Sequence, residues 1–256
     1  MHGALDQNQL DLYYQPLVDT EHRDVIAFEA LLRWHHPLRG LIPPADFVPI
    51  AEETGLILEI GEWALRSACK EATKWPEAIR VSVNLSPIQF ERGNLYQSVV
   101  DALTLSELAP HRLELEITEG VLLRDEINTR AILHNLRALG VRIALDDFGT
   151  AYASLSYLRS FPFDKIKIDR SFVRDLDVGK RKDCEAIIQA VAGLGKQMQI
   201  STVAEGIETL DQAQTVTAAG CNELQGFYFS KPVPAADVSK VLAACRSKLE
   251  RGHHGA

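Results

Sequence analysis

Two adjacent acidic residues end an apolar run in the segment ALDDFGTAYASL, which covers residues 144–155. Side chains alternate between the two faces of a β-strand, so Asp146 and Asp147 are not both expected on one buried face. At the end of a strand, where the chain turns away, both carboxylates are able to converge on one cation. Carboxylate oxygens are the ligands that hard divalent cations such as Mg²⁺ prefer. The doublet therefore predicts a cation site at the end of a strand.

Polar side chains recur near the ends of successive apolar runs along the chain. In a barrel, the carboxyl ends of the strands form the mouth where active sites lie, so these side chains are expected to meet there. The oxygen-bearing members suit a hard cation, and none of the set is Cys or His. The alternative for any single acid is a solvated loop residue or a helix cap. The recurrence favours a shared site, made of Glu29, Asn84, Glu116, Asp146 with Asp147, Lys167, Glu205 and Gln225.

The runs that carry these residues predict β-strands separated by helices. RLELEITE (112–119) and DKIKID (164–169) are typical runs, and segments such as NTRAILHNLRALG between them have apolar residues at three- and four-residue steps. Including LDLYYQPLV near the N-terminus, we count about eight strands, which indicates βα units and a parallel sheet.

The alternation of polar and apolar residues along the strands distinguishes a closed barrel from an open, doubly wound sheet. Leu113, Leu115 and Ile117 share one face of their strand, opposite Glu114 and Glu116. Strands of an open parallel sheet are covered by helices on both faces and read as continuous apolar runs. Strands that are apolar on one face only instead favour an α/β fold, a TIM-like (β/α)8 barrel whose polar side chains point inward. We expect its first strand to be atypical. The open sheet stays the alternative, because buried acids require lysines or metal ions to neutralise them.

Composition predicts one folded domain. The chain has 256 residues, 46% of them hydrophobic, and its net charge of −8 argues against binding a nucleic-acid polymer. The four cysteines lack zinc-like spacing and are expected to be reduced thiols. No apolar stretch approaches a membrane span, so we expect no membrane contact from this segment; reduced cysteines indicate a cytoplasmic protein, or the cytoplasmic part of a larger one. We predict a single domain over 1–256, with its core at about 8–245 and a flexible tail at 246–256.

Successive motifs carry a resemblance to a known family. FEALLRW contains the EAL signature at Glu29, Ala30 and Leu31, and SVNLS, LEITE, DDFGTAYASLSYL, KIKIDRSFV, VAEGIE and QGFYFSKP follow it in order. The chain is thereby identified as a member of the EAL-domain cyclic-di-GMP phosphodiesterase family over nearly its whole length. The resemblance implies a TIM-like barrel that hydrolyses cyclic di-GMP to linear pGpG with Mg²⁺ or Mn²⁺.

The same resemblance implies two metal ions in each active site. Two cations roughly 3.5–4 Å apart can activate a water molecule and stabilise both oxygens of an in-line phosphodiester displacement. Asp146 is expected to bridge the two ions. The implied ligands are Glu29, Asn84, Glu116 and Asp146 for the first ion, and Asp146, Asp147 and Glu205 for the second.

Other residues match the family's catalytic and substrate-binding positions. Lys167 is expected beside the attacking water, with a structural ion pair as the alternative, and Gln225 is expected to orient water or ligand. Arg33 is the expected clamp on a phosphate or guanine edge, against the alternative of a surface ion pair. Gln15 in YYQP is a further candidate for substrate contact.

The segment after the doublet resembles the family's mobile loop. Glu119 matches the second acid of the ExTE motif and is implied to anchor that loop. The usual loop reads DFGTGYSSL, whereas this chain has Ala151 at the second glycine and Ala153 at the first serine. An alanine at 151 costs about 1 kcal/mol or more if its φ must be positive. The departure therefore bears on loop motion and not on the metal ligands.

Functions from different classes remain open. The first is an active phosphodiesterase, and the second is a degenerate EAL module that binds cyclic di-GMP without cutting it and signals through a partner. Degenerate modules typically lose the signature Glu, the acidic pair, the lysine or the loop acid, and this chain retains all of them. A metal-dependent barrel enzyme of another family explains the carboxylates but not the ordered motifs. We further expect a homodimer, and a longer multidomain regulator with covalently linked sensory or GGDEF-type domains.

Overall fold

The computed structural model describes residues 3–123, 125–149, 155–177 and 181–251, and its strands form one sheet. The strands are β1 (Leu10–Asp19), β2 (Val25–His36), β3 (Gly40–Ile42), β4 (Arg80–Asn84), β5 (Leu113–Thr118), β6 (Arg142–Phe148), β7 (Lys165–Ile168), β8 (Ser201–Ala204), β9 (Glu223–Gln225) and β10 (Val233–Pro234). The helices are α1 (Pro44–Thr54), α2 (Ile57–Ala72), α3 (Pro87–Arg92), α4 (Leu95–Ser106), α5 (Glu119–Leu122), α6 (Glu126–Ala138), α7 (Leu155–Ser160), α8 (Arg170–Arg174), α9 (Arg181–Met198), α10 (Leu210–Ala218) and α11 (Val238–Arg251).

Eight of these strands close into a barrel. Each neighbouring pair from β2–β4 round to β8–β9 is parallel. Strand β1 completes the ring and is antiparallel to both of its neighbours, β2 and β9. The short strands β3 and β10 extend the sheet alongside β2 and β1. The predicted TIM-like barrel and its atypical first strand are confirmed, and the open sheet is excluded.

Strand parity separates the hydrophobic core from the polar interior of the barrel. Leu113, Leu115 and Ile117 of β5 are fully buried in the main core, which they share with the surrounding helices. Burying each such side chain contributes roughly 1.5–3 kcal/mol to the free energy of folding. Glu114 and Glu116, between them on the same strand, are also buried and belong to the polar interior. The alternation in the sequence therefore sets which side chains the barrel encloses.

A buried ionic layer fills the barrel beneath its mouth. Lys165 Nζ lies 2.6 Å from Glu114 Oε1 and 2.8 Å from Glu223 Oε2. Ser82 Oγ donates a hydrogen bond to Glu114 at 2.9 Å, and Arg142 Nε lies 3.4 Å from the same carboxylate. Burial alone raises the pKa of Glu114, but Lys165 and the arginines lower it to about 2. Cations of the protein thus neutralise the acids at this level.

The two ends of the chain add features outside the barrel. Phe47 of α1 and Trp34 of β2 belong to a second, smaller apolar cluster near the N-terminus. Helix α11 runs to Arg251, so the segment expected to form a tail from 246 is helical at its start; 252–256 lie outside the described residues. The four cysteines are buried, and none of them forms a disulfide bond. Within the described ranges, none of the helices combines the length and apolarity needed to cross a bilayer.

Candidate metal centre and active site

An open cavity of about 360 Å³ lies at the carboxyl ends of the parallel strands. This is the face on which barrels of this kind carry their active sites. Asn84 and Glu116 adjoin the cavity through their contacts with Glu29 and Lys167. The predicted site residues that line the cavity are Gln15, Glu29, Asp146, Asp147, Lys167, Glu205 and Gln225.

The acidic doublet reaches the cavity through a bulge inside strand β6. The pairing of β6 with β7 shifts register between Leu145 and Phe148, and Asp147 has a φ of 54°. A left-handed residue costs roughly 1–2 kcal/mol for most side chains, and Asp tolerates it because its carboxylate bonds locally. Here the Asp147 amide donates a hydrogen bond to Asp146 Oδ1 at 2.9 Å. The expected turn after the strand is therefore replaced by a bulge within it, which places both carboxylates at the cavity.

Three acids form a cluster at the mouth. Carboxylate oxygens of Asp146, Asp147 and Glu205 lie within 4.8 Å of one another. Glu205 directly follows β8, and its amide donates to the Ile168 carbonyl at 3.2 Å, which ties it to the end of β7. The second predicted metal ion has its implied ligands in this cluster.

Glu29 is held from two sides by amide groups. Asn84 Nδ2 donates to Glu29 Oε1 at 2.7 Å, and Gln225 Nε2 donates to Glu29 Oε2 at 2.5 Å. Gln225 also donates to Gln15 Oε1 at 3.3 Å. Burial alone raises the pKa of Glu29, but Lys167 and these hydrogen bonds lower it overall. Glu29 is thereby kept ionised and oriented.

Lys167 stands in the middle of the carboxylates. Its Nζ lies 2.6 Å from Glu116 Oε2 and 2.6 Å from Glu205 Oε1. Asp146 Oδ1 lies at 3.3 Å and Glu29 Oε2 at 3.5 Å. Burial alone lowers the pKa of Lys167, but Asp146, Glu116 and the other acids raise it well above its ordinary value. The lysine is therefore charged, and it is an ion-pair partner of four potential ligands.

One lysine does not neutralise the acids around it. Burial and the nearby Glu29 raise the pKa of Glu116 well above its usual range. Burial raises the pKa of Glu205 to about 8, although Lys167 acts in the opposite direction. Burial and the adjacent Asp146 also raise the pKa of Asp147. In the protein alone, these carboxyl groups are crowded enough to favour proton uptake.

The donor set fits a divalent cation. Glu116 Oε1 is buried and has no hydrogen-bond partner among the described residues. A buried carboxylate oxygen without a partner is unfavourable, and a cation beside it would supply the missing positive charge. Carboxylate and amide oxygens are the ligands that Mg²⁺ and Mn²⁺ accept. The site is therefore an acidic cluster able to hold a metal.

The remaining predicted residues lie at the edge of the site. Arg33 is half-buried, donates to the Leu32 carbonyl at 2.7 Å and stacks over Tyr13 with its guanidinium carbon 5.4 Å from the ring centre. It is not among the residues that line the cavity within the described chain. The Gly149 amide donates to Glu119 Oε1 at 3.1 Å, at the start of the segment that Glu119 was expected to anchor. Ala151 and Ala153 lie outside the described residues.

The cavity also contains residues that the sequence did not single out as functional. Most of them lie within four residues after the end of β7, β8 or β9, where the mouth of a barrel is expected. Asp169 is two residues after Lys167 and so is expected on the same, inward face of the run, which was a usable signal in the sequence. The other residues had no signal beyond their position in the chain. These lining residues are Asp169, Arg170, Gly206, Glu208, Gly226 and Phe227, and Leu31 of β2 joins them.

Comparison with known proteins identifies the family. The family model described as the EAL domain matches residues 1–232. The chain is 45% identical over 236 residues to the bifunctional diguanylate cyclase/cyclic di-GMP phosphodiesterase MucR of Pseudomonas aeruginosa, covering 91% of this chain and 34% of MucR. It is 40% identical over 247 residues to the cyclic di-GMP phosphodiesterase NbdA of the same organism, covering 95% of this chain and 31% of NbdA.

Solved structures agree with the sequence comparison. A PaMucR phosphodiesterase in complex with c-di-GMP superposes with a TM-score of 0.88 at 44% identity, over 93% of this chain and 97% of that one. The curated relatives are longer proteins, and this chain spans about a third of their length. With a closed barrel, an acidic mouth and a family match along most of its length, this chain belongs to the EAL domain family.

Proposed function

We propose that this chain is a metal-dependent phosphodiesterase that hydrolyses cyclic di-GMP to linear pGpG, with two Mg²⁺ or Mn²⁺ ions per active site. The observation that carries the proposal is the convergence of five carboxylates at the mouth, four of them on Lys167, with Glu116 Oε1 buried and unpartnered among the described residues. These acids are Glu29, Glu116, Asp146, Asp147 and Glu205.

The proposed ligands divide into two overlapping groups. Glu29, Asn84, Glu116 and Asp146 would hold one ion, and Asp146, Asp147 and Glu205 the other. When bound, the two ions would activate a water molecule and stabilise the negative charge on the phosphate oxygens. The donor chemistry supports this assignment, because the set offers only carboxylate and amide groups.

The reaction itself is an in-line displacement at phosphorus. The water oxygen bonds to one phosphorus of the cyclic dinucleotide, and the bond from that phosphorus to its 3′ oxygen breaks. The product therefore has a 5′-phosphate at one end and a 3′-hydroxyl at the other, which is pGpG. The attacking water gives up one proton, and the departing 3′ oxygen takes up one.

The protein's own side chains orient and stabilise this displacement. Lys167 keeps its proton and offsets the charge that develops as the transition state forms. Gln225 fixes the Glu29 carboxylate and orients water or ligand from the same amide. Glu119 accepts a hydrogen bond from the Gly149 amide just after β6, which supports its proposed role as an anchor. Arg33 and Gln15 contact the nucleotide at the edge of the site.

One assay separates the proposed enzyme from a receptor. The protein is incubated with cyclic di-GMP and Mg²⁺ or Mn²⁺, with EDTA as the control, and the nucleotides are resolved by chromatography. We expect pGpG with metal and intact cyclic di-GMP with EDTA. Intact but bound cyclic di-GMP in both samples would identify a receptor, and neither binding nor cleavage would contradict the substrate assignment.

Two features of the whole protein are further proposals. The names of MucR and NbdA associate the family with cyclic di-GMP turnover in proteins about three times as long as this chain. We propose covalently linked sensory or GGDEF-type domains in the full-length regulator, and a homodimer of the EAL domain. Size-exclusion chromatography with light scattering on the isolated domain tests the second proposal, and a monomer at micromolar concentration would contradict it.

A further inference from the structure

The charges that line the cavity are unevenly balanced. Among the described residues, six carboxylate side chains line it and two cationic ones, Lys167 and Arg170. The two cations have different surroundings. The six acids are Glu29, Asp146, Asp147, Asp169, Glu205 and Glu208.

Lys167 is 1% exposed, and its ammonium group forms ion pairs with carboxylates of the protein. Arg170 is exposed at the rim, and within the described parts of the chain its side chain has no hydrogen bond or ion pair. A guanidinium keeps its charge at any physiological pH and binds anionic oxygens with two parallel hydrogen bonds. Arg170 is therefore the cation that the cavity offers to a ligand from outside.

The backbone around Arg170 is fixed on both sides. Asp169 accepts a hydrogen bond from the Ser171 amide at 3.0 Å, which sets the direction of the first turn of α8. On the other side, Gly206 has a φ of 72°, and a Cβ built on it would lie 2.6 Å from the Arg170 Cβ. Only glycine allows this approach, so the loop that carries Glu205 packs directly against the residue that carries the guanidinium. Arg170 and the acidic cluster are thus held in a fixed relation.

We propose that Arg170 binds the second phosphodiester of cyclic di-GMP, the one that is not cleaved. This inference rests on the proposed function, because it takes cyclic di-GMP as the ligand. The substrate carries two phosphate charges, and the metal ligands lie together at one part of the cavity. The second phosphate would otherwise meet Asp169 and Glu208 without a counter-charge. A guanidinium at the rim offsets that repulsion and makes charge-assisted hydrogen bonds to the phosphate oxygens.

The test compares Arg170→Gln with Arg174→Gln. Arg174 lies on the same helix, pairs with Asp175 at 3.4 Å, is 72% exposed and does not line the cavity. Both changes are made in a Lys167→Met background, which slows turnover, and the Kd for cyclic di-GMP is measured by equilibrium dialysis with Mg²⁺. Arg170→Gln is expected to raise Kd by roughly tenfold, since it removes a charge-assisted contact. Arg174→Gln is expected to change Kd by less than about twofold, as for other surface ion pairs.

Arg170→Lys distinguishes a phosphate from a guanine edge as the group that is bound. Lysine binds phosphate as a point charge, so Arg170→Lys is expected to recover most of the affinity. A Kd as weak as that of Arg170→Gln would assign the contact to the two-acceptor edge of guanine and overturn the phosphate assignment. Equal Kd values for Arg170→Gln and Arg174→Gln would overturn the proposal altogether.

Kinetics on the otherwise unchanged chain complete the test. Arg170→Gln is expected to raise KM for cyclic di-GMP and to leave kcat near its original value. A fall in kcat with KM unchanged would place Arg170 on the cleaved phosphate and contradict the proposal. If the chain binds cyclic di-GMP without hydrolysing it, the proposed function fails while the ratio of Kd values still decides the role of Arg170.

Discussion

The lysine at the mouth and the lysine of the layer below provide a matched pair of perturbations. Lys167 contacts four carboxylates that are proposed metal ligands, whereas Lys165 contacts Glu114 and Glu223, away from the metal centre. Both side chains are at most 1% exposed. Removing one partner of a buried ion pair costs about 3–5 kcal/mol. In a domain of this size each kcal/mol lowers the Tm by about 2–4 °C, so either Lys→Met change should lower it by roughly 6–20 °C in EDTA.

Metal should stabilise one of the two variants more than the other. In Lys167→Met the carboxylates at the mouth lose their cation, and a bound Mn²⁺ replaces the missing charge. At a free Mn²⁺ concentration 100 times its Kd, binding stabilises the fold by about 2.7 kcal/mol. Lys165→Met keeps all of the proposed ligands, so Mn²⁺ should stabilise it as it stabilises the unchanged chain, but the cationic Lys167 still lies among those ligands and weakens metal binding. We therefore expect Mn²⁺ to raise the Tm of Lys167→Met more than that of Lys165→Met.

The pH dependence of Lys167→Met has a definite sign. The folded-state pKa values of Glu116 and Glu205 are raised, the latter to about 8. The stability linked to a raised carboxyl pKa is fully present below the unfolded-state pKa and is lost as pH rises through the folded-state value. Without Lys167 the same groups lose their counter-charge, so the Tm difference from the unchanged chain should widen from about pH 5 to pH 8.

Thermal unfolding followed by circular dichroism measures all of these effects. The three proteins are compared in EDTA and in Mn²⁺ at pH 6 and pH 8. An equal Mn²⁺ gain in both variants would refute the competition between Lys167 and the metal for these carboxylates, and no Mn²⁺ gain in any of the three proteins would refute the assignment of the metal centre. A Lys167→Met protein as stable as the unchanged chain in EDTA at pH 8 would refute the electrostatic reasoning.

Three further predictions concern catalysis. Glu29→Ala should abolish hydrolysis and weaken Mn²⁺ binding in calorimetry, because it removes an oriented carboxylate; strong residual turnover would contradict its role as a ligand. Lys167→Ala should slow turnover by at least roughly tenfold with KM little changed, since its charge matters most in the transition state; a raised KM at unchanged maximal rate would reassign it to substrate binding. Asp146→Asn should eliminate activity at any practical Mg²⁺ concentration, whereas high Mn²⁺ should restore part of the rate of Asp147→Asn. Superimposable Mn²⁺ titrations would refute only the bridging role of Asp146, and near-original rates for both would refute the two-metal mechanism.

The local pattern of the chain was sufficient to predict the barrel and most of its mouth. Alternation along β5 assigns Glu114 and Glu116 to the interior, because a strand's period of two is a property of the backbone. Parallel strands bring their carboxyl ends to one face, so a polar residue near each end joins the site whatever lies between the strands. Glu29 and Lys167 were predictable in this way without any knowledge of their neighbours.

Other features depend on contacts between distant segments, and only the tertiary structure decides them. The bulge that brings Asp147 beside Asp146 arises where β6 and β7 lose register, which is a property of the pair and not of either strand. The partners of Lys165 lie on β5 and β9, and their choice follows from closure of the ring by β1. Nothing in the local sequence distinguishes Arg170 from other residues that come after a strand. Its place at the rim depends on the close approach of Gly206, which follows β8. The periodicity of the sequence shows on which side of a strand a side chain lies, whereas the charged groups around that side chain come from segments far away in the sequence.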